Sequence, residues 1–295
     1  MSVLAALWGA SYMFIKVALD DVSPIMVVWV RVVLAALVLV PIAHRRGAFA
    51  SLRPHLGTIA LLSMVQVAAP FLLISFGEKH IASALAGILV ASAPIFTALL
   101  AFWLDREELA TGWRFVGVMV GIVGVALLFG VDLTGDSAAL LGGLMVLLAS
   151  FGYAIGPLQM KRRLKGVPPV ATAAATMTLA ALILTPAVPF AFPTHGPGLD
   201  TVGSLLALGA GGTGIAFLIF YTLIAEIGPG RATVVAYIAP GFSVLYGVVL
   251  LGESFTLGTA GGLLLILAGS WLAAGGRLSR TGLSRSTVPA PVRAR

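Results

Sequence analysis

Residues 82–112 read ASALAGILVASAPIFTALLAFWLDREELATG and continue apolar to Gly124; residues 228–258 read GPGRATVVAYIAPGFSVLYGVVLLGESFTLG. A shift of 146 positions lays the first stretch on the second without a gap: Ala86 on Ala232, Ala93 and Pro94 on Ala239 and Pro240, Phe96 on Phe242, Leu104 on Leu250, Glu107 on Glu253 and Gly112 on Gly258. Leucine and alanine coincidences are cheap in an apolar chain. A proline, a phenylalanine, an acid and a glycine held at one offset are not. The shared pattern is an apolar run broken by proline near its middle, an acidic turn, and a second apolar run rich in glycine. The chain is therefore read as an internal duplication, the feature that decides everything else about it.

The 295 residues are 59% hydrophobic and 10% charged, with a mean hydropathy of +1.07. Soluble domains carry about 25% charged residues, so this balance belongs to a membrane protein. A bilayer core of about 30 Å takes about 20 apolar residues per helix. Ten such runs can be counted, which makes the expected fold all-α, an integral membrane protein of ten transmembrane helices. Residues 1–15 lack a basic leader, so no cleavable signal is expected. The absence of cysteine excludes disulfides, thiolate metal sites and cysteine nucleophiles.

The net charge of +7 would suggest nucleic acid as a partner in a soluble protein, but here the basic residues sit in short loops and the tail. Of the 18 Lys and Arg, 15 fall in one alternate set of loops together with the tail, whereas the other set holds Lys79 amid Asp20, Asp21, Glu78, Asp132, Asp136, Asp200 and Glu253. The positive-inside rule then puts both termini in the cytoplasm. The polar link at residues 130–137 divides the runs five and five. An odd number of spans makes the second half enter the bilayer from the opposite side, so the repeats at residues 1–130 and 138–275 are inverted. Residues 276–295, rich in Ser, Arg and Pro, read as a disordered cytoplasmic tail. Inverted halves are the architecture of alternating-access carriers, with the substrate near the midplane between them.

Trp8-Gly9-Ala10-Ser11-Tyr12 through Lys16, then Ser23-Pro24 and the run from Arg31 to Leu37, together with Ala93-Pro94 to Glu107 and Ala239-Pro240 to Glu253, resemble the EamA family of the drug/metabolite transporter superfamily. The likeness covers about residues 1–275 in two copies. It implies ten helices, cytoplasmic ends, a central cavity between the repeats, and transport of amino acids, other small metabolites or drugs, with export the favoured direction. Tyr153 stands where the family commonly has a second tryptophan matching Trp8.

Candidate substrate-binding residues follow from polarity inside the spans. Pro94 and Pro240 each remove a helix hydrogen bond and free a carbonyl, and matching interruptions in two halves point to a carrier's site. The alternative is that each only bends its helix. Arg31 is the one basic residue well inside a span, roughly 10 Å below the outer boundary at about 1.5 Å per residue. It is read as facing the interior with an anionic ligand, as a structural partner of Asp20 or Asp21, or as a lid on the outer gate; Lys16 has the same choice of aspartates. Gln66, near mid-span, and Tyr12, Tyr153 and Tyr237 can orient a zwitterion by hydrogen bonds without the desolvation cost of a charge. Gln159, Tyr221 and Tyr246 are weaker candidates of the same kind.

Glu107 and Glu253 are expected to cap the helices that follow them. With no acid near a midplane, proton coupling would have to use boundary acids such as Glu78 or Glu226. Gly117 with Gly121, Gly152 with Gly156 and Gly258 with Gly262 have the spacing that lets membrane helices approach. The run Gly209 to Gly214 looks like a phosphate loop but lacks the strand that such a loop follows. No cofactor or metal is implied; the expected partners are a small-molecule substrate and the lipid bilayer, with a homodimer allowed and nucleic acid not expected. Two rivals to a carrier are an intramembrane enzyme and a non-transporting binding or scaffold protein. The four histidines lie in loops or at helix ends, and neither HExxH nor GxSxG occurs.

Overall fold

The computed structural model describes the chain except for residues 105–111, 132, 134, 228–233 and 276–295, so the tail and the acidic turn containing Glu107 lie outside the described residues. Among the described residues the regular structure is entirely helical. Helix α1 (Ser2–Ala18) leads through the turn at Asp20 and Asp21 into α2 (Pro24–Arg45). A 3-10 segment (Ala48–His55) precedes one long helix composed of α3 (Leu56–Leu62), a π-helical segment (Ser63–Ala68) and α4 (Ala69–Gly77). Then come α5 (Ser83–Val90), α6 (Ala93–Leu104) and α7 (Trp113–Val131). The second half runs α8 (Ser137–Arg163), α9 (Pro169–Leu184) with a 3-10 extension (Thr185–Phe190), α10 (Leu199–Leu206), a second π-helical segment (Ala207–Ile215), α11 (Ala216–Ile227), α12 (Val235–Leu251) and α13 (Leu257–Ala273).

By length and composition, 7 described helical segments can cross a membrane; α1, α12 and α13 are apolar but shorter, at 17 residues each. The starts are set by local chemistry. Ser23 accepts a hydrogen bond from the Met26 amide at 3.4 Å with Pro24 in the first helical turn, where a missing N–H costs nothing. Asp136 accepts from the Ala138 and Ala139 amides at 2.8 and 3.3 Å. Thr256 and Thr259 form a reciprocal capping box on α13. Gly252, at φ 67°, ends α12 in the left-handed region that a side chain would disfavour.

One buried core joins the two halves of the sequence: Ile15, Val27, Ile74, Leu89 and Leu128 pack with Val146, Leu208 and Ile266. α1 lies along α12, α2 against α9 and the second π segment, α4 against α8, and α9 against the first π segment. On the outside, Leu37, Leu182, Val249 and Leu264 are exposed, the arrangement expected of a surface covered by lipid.

The most extensive seam is between α7 and α13. It is lined by glycine on both sides: a methyl added to Gly269 would fall on the Gly121 backbone, one on Gly117 would fall on the Ala273 amide, and one on Gly124 would meet the Ile266 amide. Gly262 receives the Leu128 side chain and Gly258 that of Val131. Lipid tails are as apolar as leucine, so close backbone approach and dispersion hold such a pair together rather than hydrophobic burial. Gly269→Leu is expected to cost about 3 kcal/mol or more by overpacking, read as a lowered thermal midpoint of the purified protein in detergent, whereas Leu264→Ala on the lipid side should leave the midpoint nearly unchanged.

Candidate functional site

The repeated proline motif has different surroundings in the two halves. Before Pro94 the helix breaks at Ala91 and Ser92, and Pro94 falls in the first turn of α6. The carbonyl that Pro94 cannot serve, that of Val90, accepts a hydrogen bond from the Ser150 hydroxyl of α8 at 3.2 Å. The next carbonyl, Ala91, accepts from Ser270 of α13 at 2.8 Å, and Ser92 meets Ser150 at 3.0 Å. Serines from two helices thus satisfy the interruption. Pro240, by contrast, lies inside the continuous helix α12, so the break does not recur in the second half. Its ring removes the donor that Ala236 would otherwise bond, and Ala236 borders the cavity described below.

The segments that do correspond are the two π-helices. Ser63–Ala68 and Ala207–Ile215 overlap when shifted by the 146 positions of the repeat. A π turn widens the backbone and occurs often at functional sites. The first carries Gln66, whose amide lies against Gly156 of α8. The second contains the glycine run, here helical and packed against α2: Gly209 meets Leu34 and Gly214 meets Val38. Its Thr213 donates to the Leu208 carbonyl five residues back, at 2.9 Å, and accepts from Nε of Arg31, also at 2.9 Å.

Arg31 is 7% exposed, and its guanidinium carbon stands 3.6 Å from the centroid of the Phe71 ring. The ring face attracts the cation and orients its plane. Arg31 forms no ion pair with Asp20 or Asp21, the partners the sequence offered. Asp21 instead accepts from the Gly198 amide and the Thr201 hydroxyl, both at 2.7 Å, tying the first turn to the start of α10. Those two donors hold its carboxyl below the usual carboxylate range.

Arg31, Gln66, Tyr12 and Tyr153 border one cavity of about 570 Å³. Pro94, Tyr237 and Pro240 border it as well, so all seven residues singled out from the sequence lie on its wall. Gln159 and Tyr246 do not; Tyr246 stacks on Phe242, and the Tyr221 side chain lies outside the described residues. The cavity reaches Ile15 and Ile74 at one end and Arg114, Ala273 and Ala274 at the other, which is the end of the bundle that carries the basic loops. Apolar walls that composition alone did not single out come from Trp8, Phe217 and Phe220, with Trp8 5.2 Å from the Phe220 ring. Thr97, Thr172 and Thr176 add hydroxyls. A mostly apolar chamber of this size with a few convergent polar groups takes a small organic molecule.

At the end marked by Ile15 and Ile74 the bundle is tightly packed, with Glu78 and Ile81 buried beyond them. Lys16 does not pair with the aspartates either: its ammonium donates to the carbonyls of Glu78 and Ile81 at 2.6 and 2.9 Å, at the C-terminal end of α4 where a cation is favoured. Glu253 corrects a second expectation. It caps not the helix that follows but α5 of the other half, accepting from the Ser83 and Ala84 amides at 2.7 and 2.9 Å. The physical reason is that Thr256 already caps α13 by accepting from the Thr259 amide, leaving Glu253 free to turn inward.

With this geometry in hand, comparison with known proteins identifies the class. The EamA-like transporter family model matches residues 1–130 and again 140–275, and the chain belongs to that family. An uncharacterized transporter of Bacillus subtilis, YoaV, is 24% identical over 274 residues, covering 90% of this chain and 92% of the relative. The uncharacterized inner membrane transporter YedA of Escherichia coli is 27% identical, covering 86% and 82%. A protein of Escherichia coli named as a probable amino-acid metabolite efflux pump is 27% identical over 286 residues, covering 92% of each. A solved crystal structure superposes with a TM-score of 0.67 at 20% identity, covering 92% of this chain and 93% of that one, which shows a shared fold. The chain is thus a multi-pass cell-membrane protein of a transporter family.

The cross-half cap makes a direct prediction. Glu253→Ala should free the Ser83 and Ala84 amides, costing about 1 to 2 kcal/mol, and hydrogen exchange of a peptide covering residues 81–90 should accelerate about tenfold or more. Thr256→Ala should leave that peptide's exchange unchanged.

Proposed function

We propose that the protein is an alternating-access secondary carrier in which two inverted five-helix halves enclose the cavity, and that it exports small carboxylate-bearing metabolites, amino acids or close relatives, across the cytoplasmic membrane. The observation that carries this reading is Arg31: a buried guanidinium on the cavity wall, braced by Phe71 and Thr213, with no acidic ion-pair partner among the described residues. A charge at that depth is expensive unless something neutralises it, and a carboxylate ligand does so with short, charge-assisted bonds. The Tyr12, Tyr153 and Gln66 side chains supply hydrogen bonds for the rest of a zwitterion, and Trp8, Phe217 and Phe220 an apolar wall for its side chain.

The inverted-repeat part of the proposal is supported by the family model matching twice, by the overlap of the π segments at the repeat offset, and by the packing of α7 on α13, the fifth span of each half. Basic loops at the end toward which the cavity extends support a cytoplasmic-facing state with both termini inside. The efflux names of two relatives, in Escherichia coli and Salmonella typhimurium, support amino-acid-like cargo and export.

The test is counterflow of labelled amino acids into liposomes containing the purified protein. Arg31→Ala should weaken apparent affinity about 10- to 100-fold, the equivalent of about 1.5 to 3 kcal/mol for a hydrogen bond to a charged group. Amino-acid amides, lacking the carboxylate, should compete poorly with the wild type. Equal competition by acids and amides would rule out the role given to Arg31.

A further inference from the structure

The closed end of the cavity contains a buried acid that the substrate site does not use. Glu78 follows the last residue of the span Ala48–Gly77, one turn beyond Ile74, and is 0% exposed. Neither of its carboxyl oxygens has a hydrogen-bond partner, and the hydroxyls of Ser75 and Ser83 nearby in sequence are also buried and unpartnered. The charged and titratable groups that face it come from three other parts of the fold: Lys16 and Tyr12 on α1, Arg31 on α2, and Glu253 after α12. Yet two of the three Lys16 donors go to the Glu78 and Ile81 carbonyls rather than to a carboxylate, and Glu253 directs its oxygens to α5.

From this arrangement we infer that Glu78 is a proton-binding site whose occupancy closes the acidic end of the carrier. A carboxylate buried without donors is far costlier than a carboxylic acid in the same place, so the closed geometry is one that only the protonated side chain fits cheaply. Opening the seam between Lys16, Glu78 and Glu253 admits water, and the acid gives up its proton to that water. The resulting carboxylate then attracts Lys16, while Glu253 opposes re-closure by like-charge repulsion. The ligand is H⁺ itself, taken up from the side that the acidic turns face. Acid on that side therefore favours the state in which the cavity opens only toward the basic end, the return step that an exporter needs after releasing cargo. The inference rests on the alternating-access reading above.

The chain contains no cysteine, so a single reporter can be introduced without removing any native thiol. Ile81→Cys places it at a position 4% exposed in the closed seam. Labelling by a membrane-impermeant maleimide is followed from pH 5 to 8 in proteoliposomes, with and without Glu78→Gln, an isosteric mimic of the protonated acid. Dividing one rate by the other removes the intrinsic pH dependence of the thiol. The expected ratio is near one at low pH and rises at least tenfold as pH rises. Lys16→Met, which removes the cation favouring the carboxylate, should move the midpoint up by about one unit or more, and this arm stands even if Glu78→Gln lowers protein yield. A ratio that stays flat with pH, with the seam labelled in both backgrounds, overturns the proton site and leaves the carrier reading intact. No labelling in either background at any pH means that this end never opens, which overturns both.

Discussion

In hydrocarbon, a backbone carbonyl or amide without a partner costs several kcal/mol, so a chain that crosses a membrane stays helical unless something else supplies the missing bonds. Three irregular places among the described residues answer to that constraint. At the break before Pro94, Ser150 and Ser270 take the carbonyls of Val90 and Ala91. At the turn after α4, Lys16 takes those of Glu78 and Ile81, and at the start of α5 Glu253 takes two amides. The donors and acceptors come from helices distant in sequence. At the break before Pro94 and at the start of α5 these bonds also tie the two halves together. The cavity lies among them because irregular backbone at membrane depth is tolerated only where protein or a polar chamber surrounds it.

The cavity combines a buried charge, Arg31, and a second at its basic end, Arg114, with many weak polar groups. Arg31 is held by a ring face and a threonine hydroxyl, neither of which neutralises it, so its guanidinium can still respond to a ligand's charge. Phenols and an amide add direction without adding charge, and aromatic rings form the remainder. On the proposed reading such a lining would hold an anionic head by its charge and leave the rest of the molecule to apolar contacts.

Much of this was legible in the sequence because duplication and polarity leave one-dimensional traces. A proline, an acid and a glycine repeated at one offset revealed the two copies, and isolated polar residues in apolar runs picked out Tyr12, Arg31, Gln66, Tyr153 and Tyr237, which the fold gathers around one cavity. Partner choice was not legible. Lys16 and Arg31 sit near Asp20 and Asp21 in sequence, which suggested ion pairs, but helix C-terminal carbonyls and a π-segment threonine compete for them in three dimensions. Glu253 was correctly read as a cap but assigned to the adjacent helix, because proximity in sequence does not show that Thr256 takes the capping place there. The π segments were invisible for a similar reason: Gln66 and the glycine run look like a polar residue and a loop until packing against α8 and α2 fixes their backbone.

The serine-held break between α5 and α6 has a mechanical consequence. An unbroken helix resists bending because each degree of tilt strains a ladder of main-chain bonds, but here the ladder is interrupted and two rotatable hydroxyls stand in for it, each contributing about 1 kcal/mol. Hydroxyl groups can swivel and keep their bonds over a range of angles. The junction thus has the make-up of a universal joint, with α5 anchored by the other half through Glu253 and α6 joined to it across bonds that a turning hydroxyl can keep. α12 instead runs on through Pro240 with no serine-held break, so the matching prolines of the two halves sit in mechanically different settings.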